Sequence, residues 1–152
     1  MADRIAVRAF VRNNALLSAA INAVFSAAFF FLVFGIPGRS LALGAPDGLA
    51  LDFVPQAAAV GLMSAIVPVL VTRRELAGLV GAPPAAVGAI LFAGVLRALV
   101  CLLLGAALAT ATGLLAVASM GGWTAFACKI AFGGGLGAVV TTNALRARLR
   151  AA

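Results

Sequence analysis

Residues 51–74 read LDFVPQAAAVGLMSAIVPVLVTRR. The apolar run from 51 to 71 has about the 20 residues that a bilayer-crossing helix needs. One acid, Asp52, stands at its mouth, and Thr72-Arg73-Arg74-Glu75 closes it. An apolar stretch of that length between charged marks predicts a membrane span rather than the core helix of a soluble domain.

The rest of the chain follows the same pattern. Of its 152 residues, 64% are hydrophobic and 10% charged, and the mean hydropathy is +1.19. A soluble domain is about 45–50% apolar and about 25% charged. A soluble fold of this composition would expose apolar surface almost everywhere, which excludes that class. Four spans of about 20 residues leave about 72 for ends and loops, and six would be crowded. The expected fold is all-α: one transmembrane domain, a bundle of four helices spanning about 15–35, 51–71, 98–118 and 123–144.

The segments between these spans have their own signatures. Arg4, Arg8 and Arg12 recur every four residues, on one face of a lead-in helix at the membrane surface. The first span ends at Ile36-Pro37-Gly38-Arg39, a strong breaker. Its run is longer than the apolar region of about 7–15 residues in a signal peptide, so it is read as a retained span. Between Pro83-Pro84 and Arg97 lie 12 apolar residues, too few to cross. They are read as a short interfacial helix before the third span. Ser119-Met120-Gly121-Gly122 is read as a tight turn leading to Trp123, an interfacial aromatic.

Charge orients the spans. Three arginines precede the first span, three (Arg73, Arg74, Arg97) sit between the second and third, and three (Arg146, Arg148, Arg150) follow the fourth. These nine of the eleven basic residues accumulate on one side. Basic residues gather on the cytoplasmic side of a membrane, so both termini are expected there, in a bacterial inner membrane.

The same composition narrows the chemistry. Net charge is +7 and the pI about 11.6, but the arginines flank apolar runs with no interleaved aromatics. That is a topology signal, and no nucleic-acid partner is expected. There is no His and no Tyr, so imidazole bases, His metal ligands and tyrosyl acids are excluded. Cys101 and Cys128 fall inside spans and read as small buried side chains rather than a disulfide framework. No metal, cofactor or catalytic residue is expected, and the chain is read as a non-enzyme. The run Gly133-Gly134-Gly135 lacks the Lys-Ser/Thr of a phosphate loop.

Two charges remain that topology does not explain. Asp52 opens the second span, and Lys129 lies six residues into the fourth, about 9 Å below Trp123 at about 1.5 Å per residue. Both spans enter from the same face, so the two charges share a leaflet. An isolated intramembrane charge costs roughly 2.5–3.5 kcal/mol on insertion scales, and pairing removes part of that. A salt bridge facing the bundle interior is therefore expected. It is either a substrate or ion site, or a structural clamp with Lys129 partly snorkelling outward.

Polar groups recur near this pair. Asn14, Ser18, Asn22 and Ser26 form a stripe on the first span. Gln56 lies one turn below Asp52. Asp52, Gln56, Asn22 and Lys129 are expected to converge on one cavity. The stripe fits either a polar pathway or hydrogen bonds between helices. Small residues, chiefly Gly105, Gly113, Gly133, Gly134 and Gly137, are expected to let helix backbones approach closely. Pro68 removes a backbone donor and frees a carbonyl near Ser64.

The run Leu49-Ala50-Leu51-Asp52-Phe53, the pair Arg73-Arg74, and Phe126, Lys129, Phe132 and Val140-Thr141-Thr142 resemble a group of small uncharacterised bacterial four-helix integral membrane proteins. Members of that group carry an Asp opening the second span and a Lys in the fourth. They tend to have Pro after the Thr of the fourth span, where this chain has Thr142. The resemblance brings no activity with it. What it implies is that Asp52 and Lys129 belong together.

The functional expectation is a transport-type protein, a homo-oligomer in the lipid bilayer, passing or exchanging a small polar solute or ion. Asp52 and Lys129 form its site or gate, and Gln56 and Asn22 its hydrogen-bonding wall. The alternative is a non-catalytic accessory subunit of a larger inner-membrane complex, whose ion pair is structural.

Overall fold

The structure is a computed structural model. It describes residues 2–114 and 118–150, the surroundings of residues 2–4 and of Gly113 excepted. The chain runs α1 (Ala2–Phe34), β1 (Ser40–Ala42), α2 (Phe53–Val71), α3 (Arg73–Val80), α4 (Val87–Leu114), β2 (Ser119–Gly121) and α5 (Gly122–Arg150). Four of the helices are long and apolar enough to cross a membrane: Ile5–Phe34, Phe53–Val71, Val87–Thr112 and Gly122–Arg150.

Two boundaries differ from expectation. The third long helix starts at Val87, not near residue 98. Pro83-Pro84 ends the preceding segment but sits outside both helices, where a missing N–H costs nothing. Arg97 does not interrupt α4, because its guanidinium donates to Ala93 O of the same helix, 3.1 Å away. The short helix before the third span exists, but it is α3, whose Leu76 is buried. Its C-cap, Gly81, takes the left-handed conformation (φ 65°) that glycine tolerates best. The expected end of the third span, at 115–117, and the packing role of Gly113 lie outside the described residues. The lead-in carrying Arg8 and Arg12 is continuous with α1.

The helices form an open row rather than a closed square. α4 packs on α2, α2 on α5, and α5 on α1, while α1 and α2 touch only lightly. Small residues decide this order. On α4 the buried stripe is Ile90, Gly94, Cys101 and Gly105. A Cβ at Gly105 would stand 2.7 Å from Phe53 O and 2.9 Å from the Ala57 Cβ. At Gly61 it would meet the Cys101 side chain at 2.7 Å. Across the α1–α5 contact, a Cβ at Gly134 would stand 3.3 Å from Ala19 O. Backbones at this separation gain dispersion contacts, which hold helices together where lipid gives no hydrophobic drive. The other sides of α4 expose Phe92, Leu96, Leu99, Val100 and Leu103.

The all-helical expectation needs one addition. β1 and β2 pair antiparallel, Leu41 opposite Met120, where a loop and a tight turn were expected. Leu41 and Leu49 are buried with Phe30 and Ala125, so this two-stranded sheet caps one end of the row. Arg39 and Asp47 brace it by a two-pronged ion pair of 2.6 and 3.0 Å, and the Ala42 N–H donates to Asp47 at 2.8 Å. Arg39 holds the Asp47 carboxyl down at about 2, with the Ala42 N–H adding to it. At the other end, Val11, Val69, Leu76, Ile90, Ala144 and Leu145 cluster. The start of α1, the end of α5 and the α2–α3–α4 turns therefore share one end, with the arginines other than Arg39.

Candidate functional site

Three period-four stripes meet along one seam. They are Ser18, Asn22 and Ser26 on α1, Asp52 at the N-cap of α2 with Gln56 and Ser64 on it, and Lys129, Gly133, Gly137 and Thr141 on α5. Residues four apart lie one above another on a helix face, so each stripe presents a column of side chains. The α5 column alternates function: Lys129 and Thr141 supply donors, and the two glycines between them supply room. A Cβ at Gly137 would stand 2.6 Å from Asn22 Nδ2, and one at Gly133 would collide with the Ser26 hydroxyl.

At the sheet end of the seam, the Lys129 ammonium is paired with Asp52 Oδ2. The lysine side chain is 1% exposed and that of Asp52 28%. The expected outward snorkelling of Lys129 does not occur. Its stem turns inward, with Nζ 4.9 Å from the Phe53 ring centroid and 5.9 Å from that of Phe34. Aromatic faces attract a cation, and more strongly once it is desolvated. Asp52 precedes α2 without making a capping hydrogen bond to it, which leaves its carboxylate to the lysine. One partner is thus sealed inside, and the other reaches the surface.

One turn along, Gln56 donates from Nε2 to Ser26 Oγ at 2.8 Å and to Lys129 O at 3.1 Å. Its Oε1 is buried, and it is the single buried side-chain acceptor or donor without a partner among the described residues. Further along, Asn22 Nδ2 donates to Ser18 O at 2.8 Å and to Ser64 Oγ at 3.0 Å. The seam closes on the carbonyl that Pro68 frees: Thr141 Oγ1 donates to Ser64 O at 3.0 Å. Proline cannot supply the N–H that residue 64 would receive in a regular helix, and the hydroxyl of another helix takes its place. At the end of α2, Thr72 donates to Pro68 O from both its N–H, at 3.0 Å, and its Oγ1, at 2.7 Å.

The structure therefore brings Asp52, Gln56 and Lys129 together and leaves Asn22 in the next layer, beside Ser18 and Ser64. The expected single cavity lined by all four is corrected: Asn22, Ser18, Ser64 and Thr141 are buried against one another. Short side chains on helices this close reach each other directly. Asn14, the first residue of the stripe, bonds only Phe10 O of its own helix, at 3.0 Å. The phenylalanines near the lysine, Ser64 as a hydroxyl, and the α5 column were not singled out from the residues alone. The spacing of four shared by 129, 133, 137 and 141 was the available signal.

Comparison of the chain with protein-family models, with curated proteins and with solved structures gives no match. The site is accordingly read from its own geometry.

Proposed function

We propose that this chain is a multi-pass membrane protein of transport type, passing or exchanging a small polar solute or ion through the Asp52–Lys129 pair. The observation that supports it is the unpartnered Gln56 Oε1, one turn from that pair. A buried acceptor left unsatisfied costs about 1–3 kcal/mol, which a water or a solute N–H or O–H recovers on arrival. Lys129 has donors to spare, and Asp52 is partly exposed at the sheet end. Donor, acceptor and carboxylate thus lie about one helical turn apart, as intramembrane ionisable groups on pathways do. Basic residues favour the cytoplasmic side, so in a bacterial inner membrane the arginine end lies inside and the sheet end outside. The open row suits association of copies, which would close the exposed flanks.

The experiment is flux in proteoliposomes. Wild type is expected to carry ions or protons, and Asp52→Asn, which keeps size and a hydrogen bond to Lys129, to abolish the flux without unfolding. Wild type that carries nothing, or a variant that carries normally, defeats the proposal.

A second reading is supported by the tight closure of the rest of the seam. Asn22, Ser18, Ser64 and Thr141 bond to one another, and a ladder of that kind suits a structural accessory subunit with the ion pair as its clamp. Stable co-purification with other membrane proteins in mild detergent, together with absent flux, would favour this reading. A clean homo-oligomer counts against it.

A further inference from the structure

The arginine end holds a different feature from the seam. A cleft of about 290 Å³ opens between α2, α3 and α5, with Arg73 and Arg148 on it and Val69, Leu76, Val80 and Leu149 as apolar wall. Arg73 also borders a neighbouring cleft of about 450 Å³, beside Arg74, Leu70 and Val87. Arg148 is held in place by a hydrogen bond from Nη2 to Ala89 O, 2.9 Å, and Arg97 on α4 lies within electrostatic reach of it. Among the described residues none of these arginines forms an ion pair. The ion pairs among the described residues are Arg39–Asp47 and Lys129–Asp52, both at the sheet end. By sequence, the acids that share this end are Asp3 and Glu75.

Orienting a membrane protein requires positive charge near the spans but no cleft. Here Arg73 and Arg148, without an ion-pair partner among the described residues, line one concave surface that is apolar on its other wall. A phosphate seated there meets both side chains, and guanidinium binds phosphate oxygens in pairs. An apolar wall adds nothing for a free hydrated ion, but it suits the glycerol ester and first methylenes of a chain. The volume is near the low end of ligand pockets, about 300–1,000 Å³, and holds a headgroup region rather than a whole lipid. Basic pockets between helices on the cytoplasmic side are known to take anionic headgroups.

We infer that the cleft between α3 and the end of α5 binds an anionic phospholipid, with its phosphate on Arg73 and Arg148 and its glyceryl region along Leu76 and Leu149. This goes beyond the transport proposal and rests only on the part of it that sets the four long helices across a bilayer. It stands or falls separately from flux, because its readout is lipid binding.

The test uses the full chain, delipidated in neutral detergent and titrated with dioleoyl phosphatidylglycerol, dioleoyl phosphatidylcholine or glycerol phosphate. Retained lipid is counted by native mass spectrometry, and the melting temperature is followed in parallel. Wild type is expected to bind phosphatidylglycerol saturably, near one per chain, and to gain several degrees from it, with little response to the other two. Arg73→Gln and Arg148→Gln should each weaken binding about fivefold, the change that about 1 kcal/mol per basic residue at an anionic surface produces. Arg8→Gln and Arg12→Gln, made singly, each remove the same charge from α1 and should bind as wild type does. Equal weakening in those controls would show bulk attraction only and overturn the site. An equal response to phosphatidylcholine, or to glycerol phosphate, overturns the choice of ligand. Should the cleft variants fail to fold, the wild-type titrations decide alone: non-saturating uptake refutes the site. Failure of the membrane reading would appear separately, as protein extracted from membranes by alkaline carbonate.

Discussion

Replacing Asp52 by Ala should cost far more stability than replacing Lys129 by Met, although the two residues form one pair. The structure sets the asymmetry. Lys129 is 1% exposed and Asp52 28%. Removing the aspartate leaves an ammonium without its counter-charge in a largely apolar interior, beside the Phe53 and Phe34 rings. Breaking a buried pair in this way costs about 3–5 kcal/mol. Removing the lysine leaves a carboxylate that is already partly exposed and can hydrate, while Met keeps the stem packed against the rings, so about 1 kcal/mol is expected. Asp52 makes no capping bond to α2, so losing it breaks no side-chain cap. The double variant Asp52→Ala/Lys129→Met carries no buried charge and should fall within about 1 kcal/mol of wild type, because exchanging a buried pair for apolar groups is often neutral. The assay is reversible unfolding of all four proteins in mixed micelles, read by circular dichroism. The coupling, the double loss minus the summed single losses, should favour the double variant by at least about 2 kcal/mol. Losses that add to within about 0.5 kcal/mol, or a Lys129→Met loss larger than that of Asp52→Ala, would refute the buried-pair argument.

Three further outcomes follow from the same geometry. Thr141→Val should destabilise by about 0.6–1.7 kcal/mol, the range for hydrogen bonds between membrane helices. Pro68→Ala, which returns an N–H to Ser64 O, should relieve that loss in the double variant, as measured by the same unfolding assay. Gly137→Ala places a methyl group against Asn22, which is fixed by its own hydrogen bonds, and should cost about 1–3 kcal/mol. Gly135→Ala, with nothing within 4 Å of its Cβ, should be neutral or stabilising by up to about 1 kcal/mol; a reversed order of melting temperatures would contradict the seam. The Asp47 carboxyl, followed by carbon-13 NMR, should titrate near 2, below its ordinary 3.8. Because the folded value is depressed, the stability it contributes is complete above about pH 4 and is lost as pH falls through about 2. Arg39→Gln should raise that midpoint, though not to the ordinary value, since the Ala42 N–H remains.

Much of this architecture was legible residue by residue. Membrane-length apolar runs are a local property: each residue adds its transfer free energy, and neighbours in space hardly alter the sum. That is why α1, α2 and α5 lie where hydropathy put them. The start of α4 was misread because Arg97 counts as a boundary only if its charge has nowhere to go. A guanidinium that bonds Ala93 O of its own helix breaks that premise. The β1–β2 pair escaped notice for a similar reason. Three-residue strands carry no periodicity of their own, and residues 40–42 pair with 119–121, far along the chain, where the packing of the helices brings them together.

The candidate site divides along the same line. Asp52 and Lys129 stood out from the sequence because a charge in an apolar run is costly wherever the helix goes, and equal depth made them partners. Pro68 likewise announced an unserved carbonyl, since its missing N–H is a covalent fact. What met those groups was decided by the tertiary structure. That Thr141 serves Ser64 O, that Gln56 reaches Ser26 and the Lys129 carbonyl, and that Asn22 belongs to the next layer all depend on how far α1, α2 and α5 are rotated and how closely they approach. Gly133 and Gly137 set that approach by what they lack, and a missing side chain has no meaning until another helix fills its place. The sequence by itself determined which segments are long and apolar enough to cross a membrane and which charges need partners, because both follow from the cost of transferring single residues. Only the packing of the row decided the partners, because hydrogen bonds and ion pairs act over a few ångströms and require the helices already in place.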